Sequence, residues 1–173
     1  MKSRKCKYCK QAFEPSVFLQ KNCFEPDCVA EWINEVKEKN WKKEKAKLKA
    51  NLMTVQDYIK LAQQVFNKYI RLRDAGNNCI SCNKKPLKEN AGHFYNANNH
   101  WSVRFNEANV HLQCEHCNTY LSGNLLNYRE NLLKKIGITE FELLSVKAMK
   151  TRKFTKDELK EIIATYKKKI KEM

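Results

Sequence analysis

A chain of 173 residues with 42% hydrophobic content is long enough for one domain or two small ones and excludes a disordered tail. Lysine and arginine outnumber aspartate and glutamate 34 to 19, a formal charge of +15. That excess points to a polyanion, and without an amphipathic anchor nucleic acid ranks above a lipid surface. No apolar run approaches the roughly 18 residues that span a bilayer, and no N-terminal stretch has the apolar core of a secretory signal. The expected setting is therefore the reducing cytoplasm with no membrane partner, where eight cysteines read as metal ligands rather than crosslinks.

In chain order, Cys6-x2-Cys9 with Cys23-x4-Cys28 comes first, and Cys79-x2-Cys82 with Cys114-x2-Cys117 follows. Each set lets four sulfurs converge on one tetrahedral zinc at about 2.3 Å. Two structural zincs are expected, and because a tetrathiolate zinc carries about −2, filling both leaves about +11 of the +15. From Val29 to Lys49 the sequence lacks Gly and Pro and is rich in Glu and Lys, which predicts a helix with little core-facing stripe. It is either a solvated linker or an arm whose Lys42 and Lys43 reach phosphates.

Val55, Ile59, Ala62, Phe66, Tyr69 and Ile70 recur at three- and four-residue intervals and predict a second helix from Thr54, its cap, to Asp74. Gly76, Asn77 and Asn78 then break it ahead of Cys79. Thr139 with Glu142 and Thr155 with Glu158 match the capping box, so two short helices are expected near the C-terminus. The last presents Leu159, Ile162, Ile163, Tyr166 and Ile170 on one face. These signals divide the chain into a four-cysteine zinc module with a basic helix (1–50), a helix plus zinc-held finger (51–135) and a basic helical segment (136–173).

The stretch from Cys79 to Arg129 is the most informative. It carries Gly92-His93-Phe94, then Asn109-Val110-His111-Leu112-Gln113-Cys114, then Cys117-Asn118. A histidine on a first strand, an asparagine ahead of a returning Cys-x2-Cys and a polar residue after its last cysteine resemble a zinc-held His-Me finger (HNH) endonuclease. The version with Cys-Asn is similar to the phage junction-resolving endonuclease VII. A broader resemblance, to the lambdoid phage NinG family, also called Rap, covers most of the chain. It rests on Cys6-Lys7-Tyr8-Cys9 with Phe13 and Pro15, the run from Phe66 to Asp74, Ala91-Gly92-His93-Phe94, and Gly123-Asn124 before Tyr128-Arg129. That resemblance implies a structure-specific endonuclease in the host cytoplasm, cutting branched double-stranded DNA such as Holliday junctions and D-loops. Symmetric cutting of a four-way junction would suit a homodimer. The expected fold is α+β and helix-dominated, with a zinc-stabilised ββα-metal core and an N-terminal four-cysteine zinc module.

Phosphodiester hydrolysis needs a water activated near neutral pH, and an imidazole of ordinary pKa can take that proton. His93 is the expected general base. By resemblance, Asn109 fixes a backbone segment or orients the base, and Asn118 ligates a catalytic divalent cation, magnesium or manganese; an asparagine at a helix start also serves as a cap. The resemblance breaks at Gly92, where the resolvase pattern has an acidic ligand. His111, His116 or Asn124 are then the options for a second ligand. Strand alternation sets His111 opposite Val110 and Leu112, toward the ion or toward solvent. Arg104 and, more weakly, Arg129 are candidates to grip phosphate, while Tyr95 and Trp101 either stack on an unpaired base or pack in the core. Two other readings stay open: a non-catalytic zinc-bearing nucleic-acid binder, and an HNH nickase of different specificity.

Overall fold

Strands β1 (Arg4–Lys5) and β2 (Ala12–Phe13) pair antiparallel, and the turn between them carries Cys6 and Cys9. Lys10 closes that turn with a positive φ of 63° while its amide donates to the Cys6 carbonyl at 3.2 Å. The computed structural model describes residues 3–173 and divides them between Met53 and Thr54 into two units. The first unit continues into α1 (Pro26–Leu52). Pro26 suits a first helical position, whose N–H has no helical partner, and Asp27 complements the positive end of the helix dipole. Cys28, in the first turn, is buried. From Lys37 to Lys49 every side chain is exposed. Strong helix formers and the Glu35–Lys39 and Glu38–Lys42 pairs sustain this stretch, each pair contributing a few tenths of a kcal/mol, about 0.2–0.5.

The second unit begins at α2 (Val55–Arg73). Its start follows from a reciprocal cap: the Asp57 amide donates to Thr54 Oγ1 at 3.2 Å and the Thr54 amide to Asp57 Oδ2 at 2.9 Å. Two strands follow, β3 (Glu89–His93) and β4 (Val110–Cys114), paired antiparallel with Gly92 opposite His111 and His93 opposite Val110. Then come α3 (Leu125–Ala148) and α4 (Lys156–Lys171). Helix dominates this α+β architecture, and among the described residues no helix is long and apolar enough to cross a membrane.

Because side chains alternate along a strand, the hairpin separates two cores. Ala91 and Val110 join Phe66, Tyr69, Ile70 and Tyr166, from α2 and α4. The Tyr166 ring meets Phe66 at 4.8 Å and Tyr69 at 5.0 Å between centroids. Toward the other face, Tyr128 and Leu132 of α3 pack with Val103, Phe141 and Leu144.

Two local expectations differ from what is observed. The helix after the second cysteine set does not begin at Cys117-Asn118. Residues His116–Tyr120 form a single π-helical turn, and Ser122, Gly123 and Asn124, all at positive φ, break the chain before α3. Farther on, α3 bends at Gly137, whose φ of 80° and ψ of 163° are non-helical. The C-terminal break is thus set by a glycine free of Cβ clash, and Thr139 makes no capping hydrogen bond among the described residues. Thr155 does cap, through Glu158.

Candidate functional site

Four sulfurs gather at each end of the sequence pattern. Cys6, Cys9, Cys23 and Cys28 form one group and Cys79, Cys82, Cys114 and Cys117 the other, with all ligand atoms of a group within 4.8 Å of one another. The Cys9–Cys23, Cys6–Cys23 and Cys82–Cys114 sulfur separations are 3.8, 3.6 and 3.8 Å. A tetrahedron with zinc–sulfur bonds of about 2.3 Å has edges near 3.8 Å, so both donor sets fit zinc. The second set is tied to the hairpin, since Cys114 ends β4 and the Ile80 amide donates to the Leu112 carbonyl at 2.9 Å. Asn124 turns its amide toward Cys117 Sγ at 3.7 Å, which places it as a support of the sulfur cluster.

His93 closes β3 and is partly buried. Its Nε2–H donates to the Arg104 carbonyl at 3.1 Å. A carbonyl can only accept, so this bond fixes the tautomer and leaves a lone pair on Nδ1. Burial pushes the His93 pKa down to about 4, with the Arg104 charge acting in the same direction and the Arg104 and Ala91 carbonyls opposing it. The ring is neutral at pH 7 and able to accept a proton.

Asn109 is fully buried. Its Oδ1 accepts from the Tyr95 amide at 2.8 Å, and its Nδ2 donates to the carbonyls of Tyr95 and Val103 at 3.0 and 3.1 Å. The excursion between β3 and β4 is thereby pinned to itself, and Arg104 rides on it. Arg104 Nε donates to Gln63 Oε1 at 2.9 Å and Nη1 to the Ala97 carbonyl at 3.2 Å. Its guanidinium lies 5.0 Å from the Trp101 ring centroid. Burial alone lowers its pKa, and no carboxylate pairs with it among the described residues. His93, Asn109 and Arg104, separated along the chain, therefore meet at one end of the hairpin.

Of the other residues singled out from sequence, Tyr95 and Trp101 touch this group, through the Tyr95 backbone bonds to Asn109 and the Trp101 ring against Arg104; the rest lie elsewhere. Asn118 sits within the π-helical turn, partly buried, and its side chain makes no hydrogen bond among the described residues. His111 faces neither solvent nor an open site: it is 3% exposed, because α3 covers that face of β4. Its Nδ1–H donates to the Tyr128 oxygen at 3.3 Å, and the Tyr128 hydroxyl donates to the Gly92 carbonyl at 3.0 Å. Burial, then the Lys135 and Arg73 charges, push its pKa down to about 3 against the pull of Asp74. His116 is exposed beside Tyr120. Arg129 is exposed on α3, its guanidinium 5.6 Å from the Phe141 ring centroid. Tyr95 packs against Phe94 and donates to Ser145 Oγ at 2.9 Å, while Trp101 carries Arg104. Lys42 and Lys43 are exposed on α1 of the other unit.

Two residues escaped the sequence reading. Gln113, fully buried, explains Gly92: a Cβ at position 92 would collide with the Gln113 carboxamide and lie 2.9 Å from its Cβ. Asp74 caps α2, accepts from the Leu112 amide at 3.0 Å and binds Arg73 through both oxygens. Burial works to raise its pKa, and the Arg73 hydrogen bonds and charge, the Leu112 amide and Lys135 together hold it below the usual carboxylate range. An Arg-Asp pair ending an amphipathic helix was the available signal; nothing local marked Gln113.

The family model described as the bacteriophage lambda NinG protein matches residues 1–173. The chain belongs to the NinG family. Among its NinG relatives, protein ninG of Salmonella phage P22 is 34% identical over 191 residues, covering 98% of this chain and 93% of that protein. Protein ninG of Escherichia phage lambda is also 34% identical, with the same coverage. That of Escherichia phage 933W is 32% identical over 188 residues, again covering 98% and 93%. No solved structure matches this NinG-family chain.

Proposed function

We propose that this chain is a structure-specific DNA endonuclease of the HNH type, hydrolysing phosphodiester bonds in branched recombination intermediates. One observation carries the catalytic part: a neutral imidazole, His93, is held by the carbonyl of Arg104, a half-buried cation without a carboxylate partner among the described residues. The lone pair of His93 accepts a proton from the attacking water, and Arg104 draws the scissile phosphate to it. Asn109 positions both by bracing the excursion that bears Arg104. In this reading the β3–β4 hairpin and the segment after Cys117 correspond to the ββα core. The choice of branched DNA rests on the resemblance described above.

The same resemblance implies a divalent cation, magnesium or manganese, which would supply Lewis-acid stabilisation of the departing oxygen. Position 92 has no room for an acidic ligand, and Asn124 is turned to sulfur. The residues around His93 do not fit a protein-built cage of hard oxygen ligands. That observation favours a second reading, a zinc-bearing DNA-binding protein that does not cut.

Labelled four-way junctions and matched linear duplexes, incubated with the parent protein and with His93→Ala in magnesium or manganese, separate the two. Cleavage by the parent and a loss of about 10²- to 10⁴-fold in His93→Ala, at unchanged zinc content and junction affinity, is the expected result. Equal cleavage by both would remove His93 from the chemistry; no cleavage by the parent would leave the binding reading.

A further inference from the structure

Residues 147–156 contain five basic side chains, Lys147, Lys150, Arg152, Lys153 and Lys156, and no acidic one. A run of charge is ordinarily a solvated face. Here its backbone is anchored beside the candidate site. The Lys147 carbonyl accepts from Ser102 Oγ at 2.6 Å, and the Ala148 carbonyl from His100 Nδ1 at 3.0 Å. Phe154 is 8% exposed, with its ring centroid 5.3 Å from Phe105 and 6.4 Å from Trp101. Arg152 stacks on Phe154 at 4.6 Å and Arg104 on Trp101 at 5.0 Å. Of the five cations, Arg152 alone has an ion-pair partner among the described residues, Glu158 at 3.3 Å. Lys147, Lys150, Lys153 and Lys156 are exposed.

We propose that this α3–α4 connection is a phosphate-binding track that carries the DNA backbone to Arg104. Polyanion binding follows from unneutralised lysines on a fixed backbone: their counterion-like attraction is available without ordering a loop. The track rests on the DNA-binding part of the proposed function and not on cleavage.

Two measurements test it, both made without divalent metal so that a chain that never cuts still gives an answer. In the first, lysine acetylation by a soluble reagent is mapped with and without a four-way junction. Lys147, Lys150 and Lys153 should be protected by DNA; equal reaction with and without it would overturn the track, and would leave an acidic protein as the partner to seek. In the second, junction affinity is followed across salt for the parent, the Lys147→Ala/Lys150→Ala/Lys153→Ala protein and its triple arginine counterpart. Each lost phosphate contact lowers the log–log salt slope by about 0.9, so the alanine protein should lose about two to three units and the arginine protein none. An alanine protein that retains zinc and the parental slope would also overturn the proposal. Failure of the nuclease reading alone looks different: protected lysines and no cleavage.

Discussion

Gly92, the buried His111 and the partly buried His93 show what single residues do in this chain. The Gln113 amide donates to Ser81 Oγ at 2.6 Å and to the Gly123 carbonyl, which holds its side chain over Gly92. Gly92→Ala must push that side chain out of a packed interior, a change that typically costs about 1–3 kcal/mol. A melting temperature several degrees lower, with zinc content unchanged, is the expected outcome, and Gly92→Asp should be worse. His93 and His111 are both depressed below the ordinary histidine value, to about 4 and about 3. The unfolded chain therefore binds more protons as pH falls below about 6.5, so these residues contribute fully above that value and the contribution is lost toward the folded pKa values. Stability should fall from about pH 6.5 to about 4 through His93 and on to about 3 through His111, on the order of a few kcal/mol per histidine. His111→Asn should flatten the dependence of melting temperature on pH over that window; an unchanged slope would show that His111 does not titrate on unfolding.

At the scale of elements, α2 and α4 each bury one apolar face, and the hairpin carries the second sulfur group, which could hold a zinc. Cys79 and Cys82 precede β3, while Cys114 ends β4 and Cys117 follows it, so a metal at this set would clamp the open end of the hairpin, where Glu89 pairs with Cys114, away from His93. Structural zinc binding of this kind is folding free energy. Elemental analysis should find two zincs per chain, matching the two sulfur groups. Cys114→Ser should reduce that to one and expose the backbone amides of β3 and β4 to fast hydrogen exchange, while the Cys6 group keeps its metal. Zinc absent from folded parent protein would refute the clamp. The polar hub on the other side acts without metal: Glu107 accepts from Tyr69 at 2.8 Å and pairs with Lys169 at 2.5 Å, fastening the excursion between the strands to α2 and α4.

For the whole molecule, the charge excess matters more than any one lysine. With both tetrathiolate sites filled the chain keeps about +11, and a polyanion releases counterions on binding it. Junction affinity of the parent should fall about 10³-fold or more between about 50 and 200 mM salt if some six phosphates are contacted. Titrations showing no such loss would argue against DNA as the partner.

The two cysteine sets, the α2 and α4 helices with their Thr54 and Thr155 caps, and the basic balance were determined by the sequence alone. Each rests on spacing within a few residues or on a simple sum. α1 was legible too, apart from a short extension at each end, to Pro26 and to Leu52. Tertiary structure decided the rest, because it depended on residues distant in the chain. α2 and α3 cover both faces of the hairpin, and only that buries His111. Gln113, reaching across from β4, makes position 92 a glycine. Positive φ angles at Ser122 to Asn124 start α3 at Leu125, leaving Asn118 in a turn of its own. Asn109 brings Arg104 to His93 by gathering the excursion between the strands, and the packing of Phe154 on Phe105 and Trp101 lays a lysine-rich connection beside Arg104.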